Sequence, residues 1–204
     1  MTKKRNAVWA VCILCVALIV ICGSLLIFNN QRDKNSLREK YPIIRDADCV
    51  LDFPEFTFEQ RVDIAPNIAE IKVVKQLPDY SVLVEDEAYG ISEEVEFCQY
   101  EVKLVSDIVG TDIVTESDGT FVITFAKDFA QSYPALHDGI EAVCSIEAAS
   151  GAHEGKYILF DKSFYYIDGK TALSAYEGDD SPASSMCSKE TLVRQIQAVR
   201  NKTA

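Results

Sequence analysis

The sequence predicts a mainly β, α+β fold behind one N-terminal transmembrane helix, and three observations predict it. Residues 7–28 form an uninterrupted apolar run. From the Ala69 region to Ile167, apolar and polar residues alternate at the two-residue period of half-buried strands. A helix signal with its own cap bounds this strand-rich region on each side. Helix, about six short strands, helix is an order whose spacing suits a small barrel or sandwich, here expected to be OB-like.

The run from Ala7 to Phe28 holds 22 residues without a charge, and only Gly23 and Ser24 in it are not apolar. At 1.5 Å per residue it spans a hydrocarbon core of roughly 30 Å. A secretory signal has a shorter apolar region followed by a small-x-small cleavage site, whereas this run continues through Leu25, Leu26 and Ile27, so an uncleaved signal-anchor is expected. Ile21 before Cys22 and Leu14 before Cys15 stand where lipoprotein processing needs a small residue, which argues against lipidation. Lys3, Lys4 and Arg5 favour a cytoplasmic N-terminus and an extracytoplasmic C-terminal domain, although Arg32, Lys34, Arg38 and Lys40 reduce the contrast. The expected organisation is a cytoplasmic N-terminus (1–6), a membrane helix (7–28), a stalk and entry segment (29–56) and a β domain with a C-terminal helix (57–204).

Thr57 and Gln60 fit a capping box that opens a short helix to about Asp63, stopped before Pro66. Ala69, Ile71 and Val73 predict one strand; Tyr80, Val82 and Val84 predict a second after a Pro78-Asp79 turn. Cys98, Tyr100, Val102 and Leu104 share a face opposite Gln99, Glu101 and Lys103, in a strand ending near Gly110. Thr120 to Ala126 and Ile140 to Ala148 alternate again, the latter with Ala142, Cys144 and Ile146 inward. Tyr157–Leu159 and Phe164–Ile167 predict a hairpin turning at Asp161-Lys162, and Asp168-Gly169 signals the next turn. A last helix from Lys189 to about Arg200, capped by Ser188, buries Leu192, Ile196 and Val199.

Of 20 basic residues, Lys3, Lys4 and Arg5 precede the apolar run, leaving 17 against 32 acids. So acidic a domain is repelled by nucleic acid and by anionic headgroups, and nucleic acid is not expected as a partner. Four cysteines lie outside the membrane helix: Cys49, Cys98, Cys144 and Cys187 are the candidate disulfide residues. Cys98 and Cys144 either bond across the core or sit there as small thiols; a Cys49–Cys187 bond would tie the domain entry to the C-terminal helix and add roughly 4–5 kcal/mol. His137 and His153 lie in turns without a second imidazole at ligand spacing, and each reads as a solvated loop histidine. Asp46, Asp48 and Asp52 lack the central glycine of a calcium loop, and Glu85-Asp86-Glu87 with Glu93, Glu94 and Glu96 read as a hydrated acidic loop. No nucleophile elbow, Walker loop or dinucleotide fingerprint occurs, so no catalytic residue, metal or cofactor is assigned.

Ala69, Ile71 and Val74, then Tyr100, Val102, Val105, Ile108 and Gly110, then Leu136, Gly139, Gly155 and Tyr157 form a pattern that resembles small membrane-anchored surface proteins of Gram-positive bacteria. The strand plan is similar to netrin-like modules of OB-barrel architecture. Netrin-like inhibitors act through a mature N-terminal cysteine, which an anchor precludes, so metalloprotease inhibition is not carried over. The resulting expectation is a membrane-tethered module that binds a protein or cell-envelope partner. The alternatives are an envelope-associated hydrolase using carboxylates, or an accessory subunit of a membrane complex.

Overall fold

The computed structural model describes residues 35–45, 56–86, 91–110 and 112–203. The apolar run 7–28, Cys49 and the aspartates at 46, 48 and 52 lie outside these residues; among the described residues no helix is long and apolar enough to cross a membrane. Contacts divide the chain at Tyr41: the first unit contains a helical turn at 35–40, and the second, from Pro42, holds the α+β domain.

Helix α1 (Phe58–Ile64) leads into strands β1 (Asn67–Asp86), β2 (Ile91–Val109), β3 (Thr120–Ala126), β4 (Glu141–Ala148), β5 (Tyr157–Asp168), β6 (Thr171–Ser174) and β7 (Cys187–Ser188), followed by helix α2 (Lys189–Thr203). The expected capping box is present: the Gln60 amide donates to Thr57 Oγ1 at 3.3 Å and the Thr57 amide to Gln60 Oε1 at 2.9 Å. Ser188 caps α2 as expected, accepting from the Thr191 amide at 3.1 Å.

The strands form one sheet in the order β3-β2-β1-β4-β5-β6-β7, and β3 also meets β5 in parallel. That last pairing is a single residue pair, Ile123 with Tyr157, so the sheet curls back on itself without being a clear barrel. Alternation puts Ile71, Val73, Val102, Ile123, Ala142 and Cys144 on the concave face, all buried. The opposite face of β4–β6 carries Val143, Tyr165, Ile167 and Ala172 into a second cluster with Phe58, Val62, Leu192 and Ile196 of the two helices. Strand β4 is therefore buried on both sides, which a simple inward-outward alternation at Cys144 does not anticipate.

Two predicted turns are absent. Pro78-Asp79 does not break the chain: β1 runs through it with a bulge between Leu77 and Tyr80. Proline is tolerated because β1 pairs with β4 only through Lys72, so the missing N–H lies on an open edge. Asp161-Lys162 is likewise no hairpin turn, since Leu159 and Phe164 both pair with β4 and the residues between them form a bulge within β5. The Asp168-Gly169 turn does form, with Asp168 opposite Thr171.

β1 and β2 outrun their neighbours. Beyond Tyr80↔Phe97 they pair only with each other, so Glu85, Asp86, Glu93, Glu94 and Glu96, expected in an acidic loop, belong to a two-stranded arm roughly 20 Å long, while Glu87 lies outside the described residues. Glu93, Glu94 and Glu96 are strand residues of that arm, and Leu83 and Val84 are exposed on it. Lys127 clamps its base, reaching Asp79 at 2.8 Å and Glu96 at 2.9 Å.

At the other end of β2, Gly110 has φ +80°, and a Cβ there would stand 2.6 Å from the Pro66 carbonyl and against Asn67 Oδ1. Gly110→Ala is expected to destabilise the domain by about 2 kcal/mol or more, read by urea unfolding; an unchanged midpoint would show that the β2 end can move aside.

Candidate binding groove

Helix α2 packs against Ile108 and Val109 at the end of β2, and the candidate site lies further back, on the outer face of β2 around Phe97–Glu101 and of β3. Phe97 points outward in register with Gln99 and Glu101, and Tyr80 on β1 lies opposite it with the rings stacked, centroids 5.5 Å apart. The β4–β5 connection crosses this face. A 3-10 turn, Gly151–His153, delivers His153 against Phe97 at 4.3 Å between ring centres. Its Nδ1 is 2.7 Å from the Tyr80 hydroxyl, which is 3.1 Å from Thr124 Oγ1; Thr124 in turn donates to the Cys98 carbonyl at 2.9 Å. Lys156 closes the cluster with its ammonium 4.5 Å from the centre of the Tyr80 ring, a cation–π contact.

His153 is thus half-buried and hydrogen-bonded, which corrects the reading of it as a solvated loop residue. Burial, and secondarily the Lys156 charge, hold its pKa below the ordinary 6.5. The folded ring is harder to protonate than the unfolded one. The stability that its neutral form contributes is therefore complete above about pH 6.5 and fades as pH falls through the lowered folded value. Lys156 and Tyr80 are the charged and titratable side chains in contact with the cluster. Histidine NMR is expected to give a His153 midpoint below 6.5; a midpoint at or above it would contradict this packing.

Beside the cluster lies a groove of about 620 Å³ between the β2–β3 face, the 112–116 segment and the β4–β5 connection. Carboxylates of Glu101, Asp112, Glu116 and Glu154 line it together with Lys156 and Tyr157. Tyr157 fixes one wall, its hydroxyl donating to the Asp112 carbonyl at 3.2 Å and accepting from the Val114 amide at 2.6 Å. An acidic lining that also includes Phe121 and Tyr157 suits a ligand that is cationic or rich in hydrogen-bond donors.

The candidate cysteines are elsewhere. Cys98, Cys144 and Cys187 are free thiols, so Cys98 and Cys144 occupy the core as small apolar groups rather than as a bond across it, and Cys49 lies outside the described residues. Burial pushes all three thiols up, which keeps them protonated and unreactive at neutral pH. His137 is exposed, as expected, and no group of three or more metal-ligating residues occurs among the described residues.

Sequence reasoning missed the Tyr80–Phe97–His153–Thr124 constellation because its members come from four separate segments. One local sign existed: Phe97 falls on the solvent side of a strand whose other outward residues are Gln99, Glu101 and Lys103. The sequence matches no protein-family model and no curated protein.

Proposed function

We propose that this chain is a single-pass, signal-anchored membrane protein whose extracytoplasmic domain is a binding module, and that the groove beside His153 holds its protein or cell-envelope partner. The observation that carries this reading is the groove itself, lined by Glu101, Asp112, Glu116 and Glu154 together with Phe121 and Tyr157. Connectivity supports the OB-like assignment: pairings run β1-β2-β3-β5-β4 and back to β1, with β3 and β5 parallel. In OB barrels the face of the second and third strands and the loop joining the fourth and fifth take the ligand, and the groove lies there. The apolar run 7–28, long enough for a bilayer and longer than the apolar region of a secretory signal, supports the anchor.

The test uses the full-length protein on intact cells. A photo-cross-linker at Val114, which is 77% exposed on the groove wall, is expected to capture a partner. Reversing two charges, Glu101→Lys with Glu116→Lys, should cut that capture by about tenfold. Equal capture by the reversed groove would remove the groove from the reading. Protease resistance of the domain on intact cells, with digestion only after lysis, would place it on the cytoplasmic side.

A further inference from the structure

Strand β3 leaves part of β2 without a neighbour. Its pairing with β2 ends at Phe97↔Ala126, and the chain then turns away into the 3-10 turn Lys127–Ser132. Beyond Phe97, residues 91–96 of β2 pair only with β1. On their other edge every second residue presents an N–H and a C=O that no strand takes up among the described residues. Such an edge is a template for one more strand.

The side chains along this edge select what that strand can be. Glu93, Glu94 and Glu96 stand on it, and their cross-strand partners on β1 are Val84, Leu83 and Ser81, none of them a cation. Glu93 and Glu94 are exposed and have no ion pair among the described residues. Glu96 is the exception, and its cation comes from the β3 side: Lys127, the first residue after the last pair of β3, reaches it at 2.9 Å. A lysine in the β3 lane thus already meets the first of the three acids. The register continues with Val95, Glu94 and Glu93, where directly opposed residues of opposite charge or matching apolar character stabilise a pair. A second copy of this chain would lay acids against acids, since the whole chain has a net charge of −12. That repulsion blunts pairing of one arm with another and leaves a basic strand as the complementary one.

We propose that the open edge of β2 in the arm takes an extended basic segment of a partner protein as an added strand. The segment runs antiparallel to β2 in the β3 lane, with an apolar residue opposite Val95 and basic residues opposite Glu94 and Glu93. Main-chain hydrogen bonds hold it, and the two carboxylates set its register. This surface is separate from the groove, since none of residues 91–96 lines the latter.

Amide NMR of the full-length protein in micelles tests this with a capped Thr-Val-Lys-Lys-Thr-Val peptide. The peptide is expected to shift the amides of residues 91–96 and to slow their exchange. Glu93→Gln with Glu94→Gln should weaken its binding by about tenfold. Both positions are exposed, so that variant should keep the wild-type melting temperature. A fully N-methylated form of the peptide keeps the charge but cannot donate to the ladder, and it should leave the same amides unshifted. Failure of the wild type to bind the lysine peptide, equal binding of the methylated form, or unchanged affinity in the double variant overturns the inference. Shifts at Val114 and Tyr157 in place of 91–96 would seat the peptide in the groove, which overturns the role of the arm and leaves the groove standing. Concentration-dependent shifts at 91–96 without peptide would seat a second copy there and likewise overturn it.

Discussion

Replacing Arg61 with methionine is expected to lower the stability of the domain by about 3–5 kcal/mol, a fall in melting temperature of roughly 10 °C or more. The Arg61 side chain is 7% exposed and that of its partner Asp179 only 1%. The guanidinium reaches Asp179 and Asp180 through Nη2 and the Phe56 carbonyl through Nη1 at 2.7 Å. Methionine fills much of the same space but leaves the Asp179 carboxylate without its counter-charge in a place that water scarcely reaches, and that uncompensated charge is what costs so much. Asp180, half-exposed and held as well by the Phe58 amide at 2.8 Å, adds little of its own. The discriminating measurement is the double variant Arg61→Met with Asp179→Leu, which removes both charges and should be more stable than the single one. A single variant within about 1 kcal/mol of wild type would mean that the loop at 179–181 swings out to hydrate its acids.

Leu192→Ala is expected to cost about 2–5 kcal/mol in urea unfolding. Leu192 is fully buried where α2 lies on the sheet, in one cluster with Phe58, Val62, Val143, Tyr165 and Ile196. A wall built from both helices and five strands cannot collapse around the lost volume, so the cavity persists and its cost adds to the lost transfer energy. Val199→Ala, near the C-terminal end of the same helix and 8% exposed, should lose clearly less. Equal losses at the two positions would contradict this difference in packing.

What could be read from the sequence was whatever a contiguous segment encodes by itself. Thr57 and Gln60 cap α1 through groups three residues apart, β3 spans the predicted residues 120–126, and Leu192, Ile196 and Val199 are spaced for one buried helix face. The errors arose where a distant segment decides. Asp161 and Lys162 carry a turn signal, but pairing of both flanks with β4 turns it into a bulge. Pro78 reads as a break until the edge that it faces is known to be open. Val143 and Ser145 sit at positions that alternation assigns to solvent, and both are buried on the face opposite the concave core. His153 looked solvated because nothing near it in sequence announces Tyr80 and Phe97. The three are neighbours only because the β4–β5 connection crosses the β2–β3 face.

The single parallel contact between Ile123 and Tyr157 also has a kinetic consequence. A junction one residue wide carries less ladder than any other contact in the sheet, so thermal opening starts there. The β1–β2 ribbon, whose partners are close in sequence, forms without a long search, whereas the Ile123–Tyr157 contact must await the completed β4–β5 connection. Amide exchange should therefore be fast beside Tyr157 and slow in the middle of β1, and the wall of the groove that Tyr157 fixes should breathe on the timescale of that opening.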